Sequence, residues 1–190
     1  MKIGVLALQG AVAEHIRSIE RTGAEGVVVK HTHQLKDIQG LIIPGGESTT
    51  IGKLMRRYEF IDPIREFSAE GKPLFGTCAG LIVLAKEIEG GEEAHLGVMD
   101  IRVSRNAFGR QRESFETDLD VKGIDDPVRA VFIRAPLITS VGKGVDVLST
   151  YQDEIVTARE GHMLVSSYHP ELTDDFSLHQ YFADMVRQYN

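Results

Sequence analysis

Short runs of β-branched and aliphatic residues alternate along this chain with segments whose apolar positions recur every three or four residues. That alternation constrains the fold more than any other feature. Residues 3–8, 26–30, 41–43 and 72–76 read as strands. Between them, residues 11–21 place Val12, Ile16 and Ile19 on one helical face and end near Gly23, and residues 48–57 form a second helix with a polar start. Helix continues over 63–69, and residues 79–88 read as an apolar helix that follows the fourth strand after a single tight turn. This order predicts an α/β fold, a three-layer α/β/α sandwich around a mostly parallel central sheet. From residue 90 to 124, glycines, charges and alternating runs such as 100–103 predict antiparallel strands with exposed loops. Residues 128–133, 145–151, 154–159 and 162–168 predict further strands, and 174–189 a closing helix.

A length of 190 residues suits one compact domain, so residues 1–190 are expected to form a single unit with a continuous core. Hydrophobic residues at 42% and charged residues at 26% are far from the signature of a disordered chain. The net charge is -7 and the basic residues are scattered, which removes the electrostatic footprint of a nucleic-acid binder. The apolar stretch at 3–8 is too short for a signal-peptide core and no other segment approaches membrane-spanning length, so a cytoplasmic protein is expected. One cysteine excludes an intramolecular disulfide and leaves that thiol to be explained as a buried small hydrophobe or as a reactive group.

Three stretches carry candidate chemistry. Gly76-Thr77-Cys78-Ala79-Gly80 lies between a strand and a helix. A nucleophile on so sharp a turn is pushed out above the sheet edge, as in the G-x-S-x-G hydrolases, with cysteine here in place of serine. The helix beginning at Ala79 aims its partial positive end at the sulfur and favours the thiolate. In Tyr168-His169-Pro170-Glu171, the proline drives His169 toward extended geometry, so that Glu171, two positions on, can reach the imidazole and fix its tautomer. A histidine beside a proline is ordinary loop chemistry when alone, and it gains weight from the cysteine turn. In Pro44-Gly45-Gly46-Glu47-Ser48-Thr49-Thr50, glycines between strand and helix leave backbone N–H groups free to hold an oxyanion. A phosphate loop fails on spacing, because five residues separate Gly46 from Gly52-Lys53 and Leu54 follows. A glycine turn with a Ser or Thr helix cap is the plain alternative.

The remaining histidines show no paired ligand spacing: His15 is mid-helix, His31 and His33 lie on a loop, and His95, His162 and His179 stand apart. No metal site and no cofactor are expected. The basic cluster Arg102, Arg105, Arg110, Arg112 reads as solvated surface, although one arginine of it could clamp a substrate carboxylate.

With these residues in view, the chain resembles the class I glutamine amidotransferases, which pair a G-x-C-x-G nucleophile turn with a late His-x-Glu and have a flavodoxin-like layered fold. More narrowly it resembles the glutaminases that serve pyridoxal 5'-phosphate (vitamin B6) synthesis. The likeness runs through Gly4 to Gly10, Pro44 to Thr50, Gly76 to Leu81, Arg105-Asn106-Ala107-Phe108-Gly109-Arg110-Gln111, Phe132 to Pro136 and His169-Pro170-Glu171-Leu172. The resemblance implies hydrolysis of L-glutamine to L-glutamate and ammonia, with Cys78 as nucleophile, His169 as acid and base, and Glu171 orienting the histidine. It also implies that Gly46, Glu47 and Ser48 line the glutamine site, that Arg105 helps hold the substrate, and that Ile133 and Arg134 join the same pocket. The backbone N–H groups of Gly46 and Ala79 are expected to form the oxyanion hole. A barrel-shaped synthase subunit that consumes the ammonia is the implied partner, in a large hetero-oligomer.

Three other readings remain open on sequence. One is a glutaminase serving another amidation pathway; the second is a cysteine peptidase or thiol hydrolase of similar architecture. The third is a non-catalytic subunit that has kept the fold.

Overall fold

Within single strands, successive side chains enter two different cores, and this sorts the molecule into layers. The computed structural model describes residues 1–105, 108 and 114–190; Asn106, Ala107, Gly109, Arg110, Gln111, Arg112 and Glu113 lie outside the described residues. The chain runs through β1 (Lys2–Leu6), α1 (Val12–Arg21), β2 (Glu25–Val29), β3 (Gly40–Ile43), α2 (Ser48–Arg57), α3 (Ile61–Ala69), β4 (Leu74–Thr77) and α4 (Ala79–Leu84). It continues through β5 (Ala85–Ile88), β6 (Met99–Ser104), β7 (Ser114–Leu119), β8 (Val128–Ile133), β9 (Leu137–Val141), β10 (Asp146–Tyr151), β11 (Glu154–Glu160), β12 (Met163–Ser166) and α5 (Ser177–Tyr189).

In β3, Leu41 and Ile43 join one core cluster while Ile42 joins the other. β12 repeats the division, with Met163 and Val165 on one side and Leu164 on the other. Strands buried on both faces read as continuous apolar runs, as a helix-covered parallel sheet requires. One face is covered by α2, α3 and α4 through Ile51, Met55, Ile64, Phe67 and Leu81. The opposite face is covered by α1 and α5 through Ile19, Leu178, Phe182 and Val186.

The main sheet has the order β2-β1-β3-β4-β12-β11-β9-β6-β5, with β10 paired to β11. From β2 to β12 all neighbours are parallel. Beyond β12 the pairing turns antiparallel, apart from β5 on β6. The chain places β2 on one side of β1 and β3 on the other, so the connections leaving their carboxyl ends diverge and open a crevice, the usual ligand position in such sheets. A separate two-stranded sheet, β7 on β8, packs over the α1/α5 face through Phe115 and Phe132, and brings the end of β8 to that crevice.

The structure departs from the sequence reading at several places. The helix expected over 79–88 stops at Leu84, and Ala85–Ile88 becomes a strand that buries Ala85 and Ile88 and exposes Lys86 and Glu87. An apolar run without clear periodicity does not distinguish the two states. β9 over Leu137–Val141 was not anticipated, because its Thr139 and Ser140 interrupt the apolar pattern on an exposed face. The last helix starts at Ser177 rather than 174, since the Asp175 carboxylate accepts the Ser177 N–H at 2.9 Å and holds a local turn in place of the first helical turn. The strand expected over 162–168 ends at Ser166, and Pro170–Leu172 form a 3-10 turn.

Candidate active site

The carboxyl ends of β1, β3, β4 and β12 deliver Gln9, Gly45-Gly46, Cys78 and His169 to one crevice. Cys78 stands between β4 and α4 with φ 51 and ψ -109, a left-handed backbone that costs about 1–3 kcal/mol and persists only where the surroundings over-determine it. Those surroundings are specific. The Cys78 N–H donates to Ser166 O at 2.8 Å, fastening the turn to β12. A Cβ on Gly80 would lie 2.0 Å from Ile43 O, and one on Gly76 would lie 2.5 Å from Gly80 O. The spacing of the two glycines thus lets the start of α4 seat directly on β3, and the cysteine is lifted out between them.

His169 is held by its own N–H, which donates to Val131 O of β8 at 2.8 Å. Its Cε1 and the Cys78 Cβ lie 2.7 and 3.3 Å from the point where a Gly45 side chain would begin, so the ring and the thiol face each other across that glycine. On the other side, His169 Nδ1 is 2.7 Å from Glu171 Oε1. The contact was expected from extended geometry; it is made instead by a 3-10 turn that folds Glu171 back beneath the ring. Burial acts to lower the His169 pKa and is the largest single influence. Hydrogen bonding to Cys78 and Glu171, together with the charge of both, outweighs it and pushes the value up to about 10. A proton therefore rests on the imidazole, between a sulfur and a carboxylate. The Cys78 Sγ also lies 3.9 Å from Ile133 O.

A cleft of about 480 Å³ opens above this group. Gly46, Glu47, Ser48, Cys78, Ala79, Arg105, Ile133, Arg134 and His169 all line it, and Ile82 and Pro136 complete its wall. Glu171, the remaining residue singled out in the sequence, is buried behind His169 and does not face the cleft. Glu47 differs from expectation in how it acts: the carboxylate, rather than a Ser or Thr, caps α2, accepting Thr49 N–H at 3.1 Å and Thr50 N–H at 2.7 Å. Hydrogen bonding from the Thr50 hydroxyl, aided by these N–H groups, lowers its pKa to about 2. The Glu47 N–H in turn donates to Gln9 Oε1 at 2.6 Å, which ties the glycine loop to the end of β1. Arg105 donates to Thr49 Oγ1 at 3.1 Å, pairs with Glu92, and stands 3.7 Å from Glu47. Arg102 points away, toward Glu87 and Glu89 on the surface. Among the described residues, no group of three or more His, Cys, Asp and Glu side chains is placed to hold a metal ion.

Sequence reasoning passed over two residues behind the site. His15 and His179 are fully buried and meet each other next to Glu171. The available signal was the position of His15 on the apolar face of α1, between Val12, Ile16 and Ile19, where a solvated histidine has no place.

A strained cysteine at a strand-to-helix turn, a carboxylate-backed histidine and a glycine loop on a mostly parallel sheet define the class I glutamine amidotransferase-like α/β fold. A structure described as a glutamine amidotransferase superposes with a TM-score of 0.93 at 51% identity, covering 97% of this chain and 98% of its own. The SNO glutamine amidotransferase family matches residues 5–188, and the chain belongs to that family. Among its relatives is a Niallia circulans protein named pyridoxal 5'-phosphate synthase subunit PdxT, 73% identical over 188 residues that make up 99% of each chain. The protein of that name from Anoxybacillus flavithermus is 63% identical over 99% of this chain and 98% of its own.

Proposed function

We propose that this chain is the glutaminase subunit of a pyridoxal 5'-phosphate synthase, hydrolysing L-glutamine to L-glutamate and ammonia through Cys78, His169 and Glu171. The observation that carries this reading is the 73% identity, over 99% of both chains, to a relative named as a subunit of that synthase. The same reading takes residues 1–190 as one glutaminase domain, supported by the family match over 5–188. A cytoplasmic location belongs to the proposal as well, as suits a biosynthetic enzyme; among the described residues no helix is long and apolar enough to cross a membrane.

In the mechanism, the Cys78 thiolate attacks the carboxamide carbon of glutamine, and the carbonyl π electrons move onto oxygen. The N–H groups of Gly46 and Ala79 take up that oxyanion; Ala79, in the first turn of α4, has no acceptor within its own helix. As the C–N bond breaks, the His169 imidazolium gives its proton to the departing nitrogen, and ammonia leaves behind a thioester. His169, now neutral, deprotonates a water that attacks the thioester carbon, and glutamate departs with regeneration of the thiolate and imidazolium. Each such acid or base step is worth about 10²- to 10⁴-fold. Arg105, Ile133 and Arg134, which line the same cleft, are assigned to the amino-acid end of the substrate, and a guanidinium suits its carboxylate. Gly46, Glu47 and Ser48 line the cleft with them.

Free ammonia in water near neutral pH is protonated and ceases to be a nucleophile, so a glutaminase that feeds a synthesis gains by docking onto the enzyme that consumes its product. The partner proposed is the barrel-shaped synthase subunit, in a large hetero-oligomer. Ammonia release from glutamine, measured with and without the cognate synthase subunit, tests both parts. Weak activity alone and strong stimulation by the partner are expected, whereas equal rates would contradict the coupling.

A further inference from the structure

On the side of the triad away from the cleft, two histidines that the mechanism above does not use are sealed in the core. His15 comes from α1 and His179 from α5, at 0% and 1% exposure. His15 Nδ1 lies 2.9 Å from His179 Nε2. The other nitrogen of His15 lies 3.3 Å from Thr77 Oγ1 and 3.6 Å from Glu171 Oε2. The Glu171 side chain has no exposed surface; Oε1 is taken by His169, and Oε2 has no hydrogen bond among the described residues. A buried carboxylate oxygen without a donor is costly, because nothing replaces the water it has lost.

Neutral imidazoles carry one N–H each, so the pair has two arrangements. Burial lowers the pKa of both rings, that of His15 well below the ordinary value and that of His179 to about 3, so both are neutral. If His15 donated through Nδ1 to His179, the lone pair of its Nε2 would face the Glu171 carboxylate. The Nδ1–H of His179 would then be a buried donor, at an atom that has no partner among the described residues. In the opposite arrangement His179 donates through Nε2 to His15 Nδ1. His15 then turns an N–H toward both Thr77 Oγ1 and Glu171 Oε2, and only a lone pair on His179 goes unused. The second arrangement avoids both penalties.

We propose that His15 is a positioning residue for the hydrolytic centre: its Nε2–H, held in that tautomer by His179, faces the second oxygen of Glu171 and keeps the carboxylate aimed at His169. At 3.6 Å the contact is an ion–dipole interaction, longer than a hydrogen bond, so it steadies charge on Oε2 while leaving Oε1 free to bond His169. Other charged groups near Glu171 are Glu14, Arg17 and Arg21 of α1 and Asp174, which share a hollow at the surface beside its turn. This proposal rests on the Cys-His-Glu reading, and the test separates the two.

Cys78 is the only cysteine in the chain, so alkylation of the full-length protein by iodoacetamide reports on its thiolate without needing turnover. The readout is the alkylation rate at pH 6 relative to pH 9, for wild type, H169N, H15Q and H15N. Glutamine places an amide N–H near the site of the lost Nε2–H; asparagine keeps a polar group near Nδ1 and leaves Oε2 bare. Loss of one hydrogen-bond-like interaction with a charged group corresponds to about a tenfold change in an equilibrium. H15N is therefore expected to lower the ratio by about tenfold, with H15Q restoring most of it. In the glutaminase assay with the synthase subunit, H15N should lose kcat and keep KM, since His15 does not line the cleft. Equal ratios in wild type, H15Q and H15N, with H169N lowered, would overturn the role of His15 and leave the triad standing. A wild-type ratio matched by H169N would overturn both. If H15N does not fold, H179L carries the test: releasing the tautomer should lower the ratio, and an unchanged ratio would overturn the proposal.

Discussion

The two walls of the cleft are built on different principles. On the cysteine side, position is set by backbone: a left-handed residue, a helix start seated on β3, and N–H groups bonded to β8 and β12. On the arginine side, position is set by partly exposed charges, with Arg105 at 32%, Glu92 at 29% and Glu47 at 54% side-chain exposure. Contacts of the first kind are rigid and costly to alter. Exposed ion pairs are worth about 0–1 kcal/mol and can exchange partners. The proposed reacting atoms therefore sit on a fixed frame, while the charged side of the cleft can adjust.

That contrast can be broken by substitution, beginning with the largest expected effect. Cys78→Ala should lower glutamine hydrolysis by about 10⁴-fold or more while the melting midpoint stays near wild type; retained turnover would remove the nucleophile assignment. Glu171→Gln keeps the shape and loses the charge, and a loss in kcat of about 10²- to 10⁴-fold is expected with KM little changed. Gly80→Ala drives a methyl group to within 2.0 Å of Ile43 O, and chemical denaturation should register a destabilisation of about 3 kcal/mol. A neutral result there would show that the elbow is softer than its packing indicates.

On the opposite wall the effects should be smaller and of another kind. Arg105→Ala should raise KM for glutamine about tenfold, with kcat within about twofold of wild type; a matching fall in kcat would place the arginine among the groups that act in the transition state. Glu47→Ala removes the cap of α2 and should cost about 1 kcal/mol of stability at neutral pH. The pH dependence of that cost follows from the sign of the shift. The folded pKa of about 2 is below the ordinary 4.5, so the contribution is fully present above pH 4.5 and is lost as pH falls toward 2. Denaturation curves of wild type and variant should converge over that window.

The same contrast explains what was legible in the sequence. The parallel half of the sheet announces itself by short apolar runs joined by amphipathic helices, and the elbow by Gly76 and Gly80, because backbone geometry demands particular residues at particular spacings. His169 and Glu171 were legible by adjacency, although the local geometry that joins them is a 3-10 turn and not a strand. The half of the sheet beyond β12 was harder: β5 and β9 are short, amphipathic in ways that fit helix or loop, and take their form from neighbours distant in the chain. The carboxylate cap of α2 is hard to read because Glu47 is an uncommon cap beside a serine and two threonines that fit the usual pattern, which the plain alternative followed. His15 and His179, 164 positions apart, meet only in the folded core; the apolar face of α1 marks His15 as buried, but nothing local shows that His179 is its partner.

The proposed hydrolysis requires the His169 imidazole and the Cys78 thiol to act together on glutamine. The most direct measurement is reaction of the chain, bound to its synthase subunit, with an electrophilic glutamine analogue, followed by peptide mass mapping and a residual-activity assay. Modification confined to Cys78, in step with loss of glutaminase activity and abolished in H169N, is the predicted result. Full inactivation with Cys78 unmodified, or labelling that proceeds at the wild-type rate without His169, would contradict it.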